Sequence, residues 1–375
     1  MARARRGERG ALVLLAVAVA FLLATVVSSL SSAAQSAALA VAAARERSAG
    51  APAEQAPPPR GAYAWRRPTV LAVGDSITEY ALLEGGWWRA FAGAYARRAD
   101  VVNRGLSGYN SRWALLAADE SAGAFGGRLA AVVVWLGAND AKAPLDGDER
   151  GGARLRAAGA TDLHVPLDEY GRNLKAIAQK LRDAYAEAAA SSASSWALGV
   201  VAAGGQGGRR RRRAVAGRWP LPPADVGPVI VFVTPAPLHE QQWLERLQAQ
   251  AEAAGLPPPT VSDRLNSVLA LYADEARAAA ASMPPGTAVV ADVRAALERE
   301  GAGDGTEAAR AFFSDGLHLS QKGNEVALRE ILRALDGTAA APSALPYHLP
   351  TYGQVACADP QGTFGPLEER GWGGP

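Results

Sequence analysis

Four short motifs contain side chains whose types and spacing could carry out chemistry, and the first supplies a candidate nucleophile. Residues 74–79 read Gly-Asp-Ser-Ile-Thr-Glu and follow directly on an apolar run. A serine at a turn from a strand into a helix is exposed, and its own N–H lies near the positive end of the helix. Ser76 could therefore be a nucleophile, although Asp75 or Ser76 could instead serve only as a helix cap. The segment lacks the Gly-x-Ser-x-Gly pattern, which argues against an α/β-hydrolase.

Two further motifs contain groups that could donate hydrogen bonds to a negatively charged oxygen. Residues 103–110 read Asn-Arg-Gly-Leu-Ser-Gly-Tyr-Asn, and a glycine such as Gly105 or Gly108 allows a backbone N–H to approach a substrate closely. Residues 136–140 read Leu-Gly-Ala-Asn-Asp, in which the Asn139 amide is a neutral donor suited to an oxyanion hole. Each motif could also be a plain turn, so neither establishes a site by itself.

The fourth motif, Asp-Gly-Leu-His-Leu-Ser at residues 315–320, contains a candidate base and a carboxylate partner for it. A separation of three residues allows Asp315 to orient the His318 ring through Nδ1, which leaves Nε2 to serve a serine. A metal-binding pair is the competing interpretation, but no third His or Cys ligand is nearby. The chain has only four histidines, and this one follows the other three motifs in order. The combination favours a Ser-His-Asp triad.

The elements that must position these motifs follow from the hydrophobic pattern. Short continuous apolar runs are typical of strands that are buried on both faces of a parallel sheet. Five such runs predict strands at Thr69–Val73, Asp100–Val102, Ala130–Leu136, Val229–Val233 and Ala288–Val290. Apolar residues at helical spacing within Leu167–Ala190, and again from Leu265 to Tyr272, predict helices between them. The alternation indicates a doubly wound α/β domain over about 68–337, with ligands at the carboxyl ends of the strands.

Two insertions interrupt this domain, and an irregular tail follows it. The first insertion, residues 147–161, is rich in Gly, Ala and Arg and could form a lid. The second, residues 191–227, is predicted to be a low-complexity surface loop and contains five consecutive arginines, Arg209–Arg213. Residues 338–375 have no periodicity and carry no predicted role.

The side chains of a substrate pocket are harder to assign from the sequence. Trp87, Trp88 and Tyr109 could line an apolar pocket, although a tryptophan pair is also typical of a core. His239 follows the Thr-Pro-Ala-Pro segment at 234–237 and could line the cleft or be an ordinary loop residue. The oligomeric state is left open.

Taken in order, the motifs resemble those of the GDSL/SGNH hydrolase superfamily, in which a serine, a glycine, an asparagine and a histidine occur in four blocks. The finer resemblance is to the isoamyl acetate-hydrolysing esterase group. It rests on the matches at 74–79, 103–110, 137–141 and 315–320, and on Val165–Leu167, Tyr170, Asn173–Leu174 and Thr234–Pro237. It covers about residues 68–335, so the amino-terminal segment, both insertions and the tail are departures from the family pattern.

The resemblance implies a three-layer α/β/α, flavodoxin-like domain with a parallel five-stranded sheet. It also implies a triad of Ser76, His318 and Asp315, and an oxyanion hole formed by Ser76, Gly108 and Asn139, with Gly105 as the alternative glycine. The expected activity is hydrolysis of small carboxylic esters, in particular short-chain or acetyl esters, without a cofactor or metal.

Two alternative functions stay open at this point. The same triad could act as an O-acetyl esterase or acyltransferase on glycans or lipids of the secretory pathway. The domain could also be a membrane-tethered binding module that has lost its activity. Esterase activity of the domain would exclude the second alternative.

The amino-terminal residues predict a membrane segment. Residues 11–44 contain no charged side chain, and 11–30 form an apolar stretch long enough for a membrane-spanning helix. Arg-rich residues 1–10 would remain cytosolic, so this hydrophobic helix would act as a signal anchor, with residues 31–67 as a stalk. The catalytic domain would then be lumenal or extracellular. A cleaved signal peptide, which would give a secreted protein, is the alternative.

Charge and cysteine content exclude some classes of function. The net charge is +2, but residues 1–10 carry +3 and the Arg209–Arg213 run carries +5, which leaves −6 on the other residues. A basic nucleic-acid-binding domain is therefore disfavoured. Cys357 is the only cysteine, so the chain can form neither an intrachain disulfide nor a multi-cysteine metal site.

Overall fold

A computed structural model describes residues 67–144, 162–202, 227–345 and 347. Within them, five strands form one parallel sheet in the order β2-β1-β3-β4-β5, which confirms the predicted α/β architecture. The strands are β1 (Thr69–Gly74), β2 (Asp100–Gly105), β3 (Leu129–Trp135), β4 (Val229–Val233) and β5 (Ala288–Ala291). Every residue of β1, β3 and β4 is buried, as expected for apolar strands that are covered on both faces.

The described residues form helices that connect and cover these strands. They are α1 (Ser76–Glu79), α2 (Trp87–Ala94), α3 (Ser111–Phe125), α4 (Leu167–Ala202), α5 (Glu240–Ala253), α6 (Asn266–Ala281), α7 (Val293–Arg299) and α8 (Gln321–Leu335). One group consists of α3, α4 and α6, in which α4 packs between the other two. In a second group, α8 packs against α2, α7, β4 and β5. Crossovers between parallel strands are right-handed as a rule, and with this strand order the rule puts the two groups on opposite faces of the sheet.

The strand order creates a crevice where the chain reverses its direction across the sheet. The chain passes from β1 to β2 on one side and then returns to β3 on the other side of β1. Ligands of doubly wound sheets bind at such a point, beyond the carboxyl ends of the strands. At this edge Gly74, Gly105 and Trp135 are register partners, so the segments that follow β1, β2 and β3 leave the sheet side by side.

Two predicted boundaries differ from the structure. Helix α4 continues to Ala202, whereas the sequence predicts a surface loop that begins at Ser191. The Ser/Ala-rich sequence there reads as low complexity, yet it contains no proline and only one glycine, at position 199, so it can continue a helix. The described part of the predicted tail packs on the domain, because Ala340, Ala341 and Leu345 are buried.

Aromatic side chains near α2 form part of the core. Trp87 and Trp88 are 1% and 7% exposed, and the Trp87 ring packs edge-on against Phe91 and at a tilt against Trp135. The suggestion that this tryptophan pair lines the substrate pocket is therefore wrong, since apolar burial accounts for both side chains.

Several predictions fall outside the described residues. They are the basic stub at 1–10, the hydrophobic helix at 11–30, almost all of the stalk at 31–67, the insertion at 147–161 and the Arg209–Arg213 run. Within the described ranges, no helix is both long enough and apolar enough to cross a membrane.

Candidate active site

Ser76 lies at the first residue of α1, directly beyond the carboxyl end of β1. The turn requires glycine at position 74, where a Cβ would lie 2.0 Å from Thr78 Oγ1. Asp75 caps the helix through Oδ1, which accepts a hydrogen bond of 2.9 Å from the Ile77 N–H. The Ser76 N–H has no acceptor within the helix because it precedes the first helical hydrogen bonds. The sequence alternative that Asp75 is a helix cap is thus correct, and it leaves the Ser76 hydroxyl unengaged by the cap.

A chain of two hydrogen bonds links Ser76 to a carboxylate. His318 Nε2 lies 2.9 Å from Ser76 Oγ, and His318 Nδ1 lies 2.8 Å from Asp315 Oδ2. A carboxylate can only accept, so Nδ1 carries the proton and Nε2 is free to accept from the serine. Burial acts to raise the pKa of the Asp315 carboxyl, but its hydrogen bonds and the charge of His318 outweigh burial and lower that pKa. Asp315 is therefore ionised at neutral pH.

The loop that carries Asp315 and His318 is fixed by its own backbone. Asp315 Oδ1 accepts hydrogen bonds from the N–H groups of Leu317, at 3.1 Å, and His318, at 2.9 Å. Gly316 has a φ of +96° and packs on the start of α5. A Cβ on Gly316 would lie 2.3 Å from the backbone nitrogen of Trp243. Both features hold the carboxylate and the imidazole in one rigid turn.

His239 supports this loop rather than lining the cleft. Its backbone N–H donates to the Gly316 carbonyl at 2.8 Å. Its Nδ1 accepts from the Gln242 N–H and caps α5, and its Nε2 lies 3.0 Å from the Thr306 carbonyl oxygen. The side chain is 2% exposed, so its hydrogen bonds are all structural.

The two candidate glycines have different surroundings. The Gly105 N–H donates to Asn103 Oδ1 at 2.8 Å, and a Cβ on Gly105 would lie 2.2 Å from the Glu79 nitrogen. Gly105 thus allows β2 to pack against the end of α1. The Gly108 N–H has no acceptor within the described ranges, and Gly108 has a φ of +79° that favours glycine. Gly108 therefore presents a free donor, and Gly105 does not.

Asn139 follows β3 and is held from both ends of its amide. Its Nδ2 donates to the Tyr109 carbonyl at 2.9 Å, and its Oδ1 accepts from Arg264 Nη2 at 2.9 Å. One N–H of Nδ2 therefore remains for a ligand. Tyr109 follows Gly108 in the chain, so this contact places the Asn139 amide beside the segment that contains Gly108.

Side chains beyond Ser76 connect the first two motifs at the mouth of the site. Glu79 accepts a hydrogen bond of 2.5 Å from the Ser107 N–H, and the Tyr80 hydroxyl lies 3.0 Å from Ser107 Oγ. The centres of the Tyr80 and His318 rings lie 5.2 Å apart. Nearby in sequence, Leu82 and Leu83 are 57% and 64% exposed. The Tyr80 ring thus adjoins the imidazole, and the two leucines are exposed further along the same segment.

Two buried carboxyl groups lie under the site and have raised pKa values. Burial raises the pKa of Asp75 to about 7, against the opposing effect of the Ile77 N–H. Burial also raises the pKa of Asp140 to about 6, although hydrogen bonds from Ser111 lower it. In each carboxyl group Oδ2 has no hydrogen-bond partner among the residues that the structure describes. Asp140 Oδ1 accepts from the Ser111 N–H at 2.9 Å and so joins the end of β3 to the start of α3.

The residues that support Asn139 lie outside the four sequence motifs. Arg264, Asp263 and Trp243 form a buried cluster behind it, and no recognisable motif includes them. Their contact with the site joins positions 125 residues apart, which local sequence patterns do not reveal. Across the described ranges, no group of three or more His, Cys, Asp or Glu side chains is arranged to hold a metal ion.

Comparison with known proteins gives a consistent result. The model of the GDSL-like Lipase/Acylhydrolase family matches residues 72–326. The isoamyl acetate-hydrolyzing esterase 1 homolog of Bos taurus is 27% identical over 78% of this chain and 90% of its own length. A GDSL esterase/lipase of Arabidopsis thaliana is 31% identical over 80% of this chain and 98% of its own length. The resemblance drawn from the four motifs is confirmed.

Proposed function

Because the chain belongs to the GDSL-like lipase/acylhydrolase family and is therefore a carboxylic ester hydrolase, we propose that Ser76, His318 and Asp315 form its catalytic triad. The observation that carries this proposal is the hydrogen-bond chain from Asp315 through His318 to Ser76, with distances of 2.8 and 2.9 Å. The 2.9 Å separation of His318 Nε2 from Ser76 Oγ allows the base to take the proton of the nucleophile, and the 2.8 Å contact with Asp315 orients the base.

In the acylation step, Ser76 Oγ attacks the ester carbonyl carbon while His318 Nε2 takes the hydroxyl proton. The imidazolium that forms is stabilised by the Asp315 carboxylate at Nδ1. When the tetrahedral intermediate collapses, the bond to the alcohol oxygen breaks, and His318 returns the proton to the leaving alcohol. The product of this half-reaction is an acyl ester on Ser76.

The negative oxygen of the tetrahedral intermediate is held by three donors in this proposal. They are the backbone N–H groups of Ser76 and Gly108 and the free N–H of the Asn139 side chain. The unengaged Gly108 N–H and the fixed Asn139 amide support this assignment. Donors that are already fixed before the reaction stabilise developing charge without a cost of reorganisation.

Water then completes the cycle. His318 accepts a proton from the water molecule as its oxygen attacks the acyl carbon, and the second tetrahedral intermediate is held by the same donors. Collapse releases the carboxylic acid, and His318 returns the proton to Ser76 Oγ. Every proton is accounted for by Ser76, His318, water and the substrate.

We infer that the substrates are small carboxylic esters with a short acyl group, in particular acetyl esters. The relatives named isoamyl acetate-hydrolyzing esterase support this class. Tyr80, which is 40% exposed and whose ring lies beside His318, supports an uncharged alcohol or acyl part, since apolar surface gains little from a charged one.

Hydrolysis of p-nitrophenyl esters from acetate to palmitate tests this proposal with the full-length chain. The rate should be highest for short acyl groups, and Ser76→Ala should abolish it, whereas Ser282→Ala at the end of α6 should not change it. Retention of the wild-type rate in Ser76→Ala would contradict the proposed triad. Faster deacetylation of acetylated sugars than of short alkyl acetates would favour the glycan alternative.

We also propose that residues 11–30 anchor the protein in a membrane, with the esterase domain lumenal or extracellular. The apolar sequence of this segment and the arginines before it support the proposal. The full-length chain should remain in the membrane fraction after alkaline extraction, and deletion of residues 11–30 should release it. Recovery of a soluble chain whose amino terminus lies after residue 30 would favour signal-peptide cleavage instead.

A further inference from the structure

A buried arginine behind the proposed oxyanion hole has no part in the mechanism described so far. Arg264 is 5% exposed, and its partner Asp263 is 4% exposed. Buried charged groups are costly unless they are paired and hydrogen-bonded, so their presence here needs a physical account. The pair lies just before α6, but its contacts reach across the molecule to the segment after β3.

The Arg264 guanidinium contacts the Asn139 segment at two points. Nη2 donates to Asn139 Oδ1 at 2.9 Å, and Nε donates to the carbonyl oxygen of Ala138 at 2.7 Å. Nη1 pairs with both oxygens of Asp263, at 3.0 and 3.1 Å. One planar group therefore fixes both the side chain of Asn139 and the backbone immediately before it.

These contacts determine which way the Asn139 amide faces. A guanidinium has donors only, so the group that meets Nη2 must be the amide oxygen. A flipped amide would point its NH2 group at the guanidinium and would lose the hydrogen bonds to Arg264 and to the Tyr109 carbonyl. The amide nitrogen is thus directed toward the carbonyl of Tyr109, the residue that follows Gly108 in the chain. A charged donor on Oδ1 also polarises the amide and strengthens its N–H as a donor.

Trp243 connects this pair to the other half of the site. Its Nε1 donates to Asp263 Oδ1 at 2.7 Å, and the Arg264 guanidinium lies 5.2 Å from the centre of its ring. The same ring lies edge-on to the His318 ring, with 6.5 Å between the ring centres. The cluster of Arg264, Asp263 and Trp243 therefore contacts both Asn139 and His318.

We propose that Arg264 is a positioning residue that holds the Asn139 amide in the orientation required by the oxyanion, and this inference rests on the proposed role of Asn139. Arg264 acts through Asn139 and does not itself touch the substrate. Its loss lowers the rate of the chemical step, whereas binding of the uncharged substrate changes little. Asp263 and Trp243 fix the guanidinium in turn.

A double-mutant cycle on the full-length chain tests this role, with kcat and KM measured on p-nitrophenyl acetate. Asn139→Ala should lower kcat by about 10²–10³-fold, as for loss of one oxyanion donor. Arg264→Gln should lower kcat by about tenfold or more and change KM by less than about threefold. The double variant should be no slower than Asn139→Ala, because residues that act through one another are not additive. Arg294→Gln, at another buried arginine, should retain wild-type kcat.

Two further variants keep the inference falsifiable if Arg264→Gln does not fold. Arg264→Lys keeps the charge, but an ammonium group cannot reach Ala138, Asp263 and Asn139 together. Trp243→Phe keeps an aromatic ring but removes the hydrogen bond to Asp263. Each should lower kcat without additivity to Asn139→Ala. Wild-type kcat in a folded Arg264 variant, or losses that multiply in the double variant, would overturn the inference. Wild-type kcat in Asn139→Ala would instead overturn the proposed oxyanion hole.

Discussion

Ser76 and His318 are separated by 242 positions in the chain, yet their side chains lie 2.9 Å apart. Each is held by its own local turn, since the Asp75 cap fixes the start of α1 and the Asp315 carboxylate binds two N–H groups of its own loop. The geometry of the site therefore depends on two rigid turns rather than on flexible side chains. Preorganised turns of this kind are what acyl transfer requires.

The two glycines of the second motif should respond differently to substitution by alanine. A Cβ on Gly105 would lie 2.2 Å from the Glu79 nitrogen, so we expect Gly105→Ala to lower the free energy of unfolding by about 3 kcal/mol. Gly108 has open space around its Cα but a φ of +79°, so Gly108→Ala should cost only about 1 kcal/mol. Urea denaturation of both variants measures the difference. A Gly105→Ala variant as stable as Gly108→Ala would contradict this account of their surroundings.

At the residue scale, the candidate site could be predicted where its chemistry is local. Asp315 and His318 lie within one turn, and Ser76 and Asn139 each follow a recognisable strand, so motif and spacing identify all four. Arg264 could not be found in this way, because its importance comes from a contact with a residue 125 positions away. An isolated arginine before a helix carries no such signal.

At the scale of elements, the ends of β1, β2 and β3 deliver the three proposed oxyanion donors to one edge of the sheet. The register partners Gly74, Gly105 and Trp135 mark the last residues of these strands. The loops that follow are joined by the hydrogen bonds from Ser107 to Glu79 and from Asn139 to Tyr109. Strand order therefore decides which motifs meet.

The buried cap of α1 predicts a pH dependence of stability. The pKa of Asp75 is raised by burial from 3.8 to about 7, so between these values the folded state retains a proton that the unfolded state has lost. The free energy of unfolding should consequently fall as pH rises through this window, by up to about 1.4 kcal/mol per pH unit. Asp75→Asn keeps an oxygen to cap the helix and should remove this contribution.

Chemical denaturation at intervals from pH 5 to pH 8 checks this prediction. The wild type should lose stability relative to Asp75→Asn as pH rises to about 7, with no further relative loss well above it. Asp140 contributes a similar term that ends at a lower pH, since its pKa is about 6. Parallel curves for the wild type and Asp75→Asn would contradict the assignment of a raised pKa to Asp75.

Strands could be predicted from the sequence more accurately than helix ends. The five apolar runs lie within about two residues of the observed strands, apart from β2, which continues to Gly105. The predicted end of α4 at residue 190 was too early, because low complexity was interpreted as a loop although Ala and Ser are compatible with helix. The location of Trp87 and Trp88 could not be predicted from the sequence either, because only packing distinguishes an aromatic side chain of the core from one that lines a pocket.

At the scale of the whole molecule, the domain extends beyond the predicted boundary at residue 337. The Tyr95 hydroxyl donates to the Ala340 carbonyl at 2.8 Å, and Leu345 is 3% exposed. The Arg98 guanidinium lies 4.2 Å from the centre of the Tyr347 ring. This segment packs on the helical layer that contains α2 and is therefore part of the folded domain.

Truncation tests the importance of that segment. A chain that ends at Gly337 loses the burial of Leu345 and the hydrogen bond from Tyr95, which together contribute about 3 kcal/mol. We expect its Tm to fall by about 5–10 °C relative to the full-length chain. A chain that ends at Tyr347 retains these contacts and should have a higher Tm than the chain that ends at Gly337. Equal melting of both truncated chains would show that residues 338–347 do not stabilise the domain.

The proposed active site brings together residues from nearly the whole length of the domain. Ser76 lies near the beginning of the described chain and His318 near its end, while Arg264 joins the site from the segment between α5 and α6. Such a site exists only in the folded molecule, so global unfolding should abolish its activity.

The central claim is that Ser76 is the nucleophile, and labelling with an alkyl fluorophosphonate tests it most directly. The full-length chain would be incubated with the reagent and digested, and the adduct would be located by mass spectrometry. We predict a single adduct on Ser76 that is absent from Ser76→Ala and forms much more slowly in His318→Ala. An adduct on another serine of the wild type, or undiminished labelling of Ser76→Ala, would contradict the account.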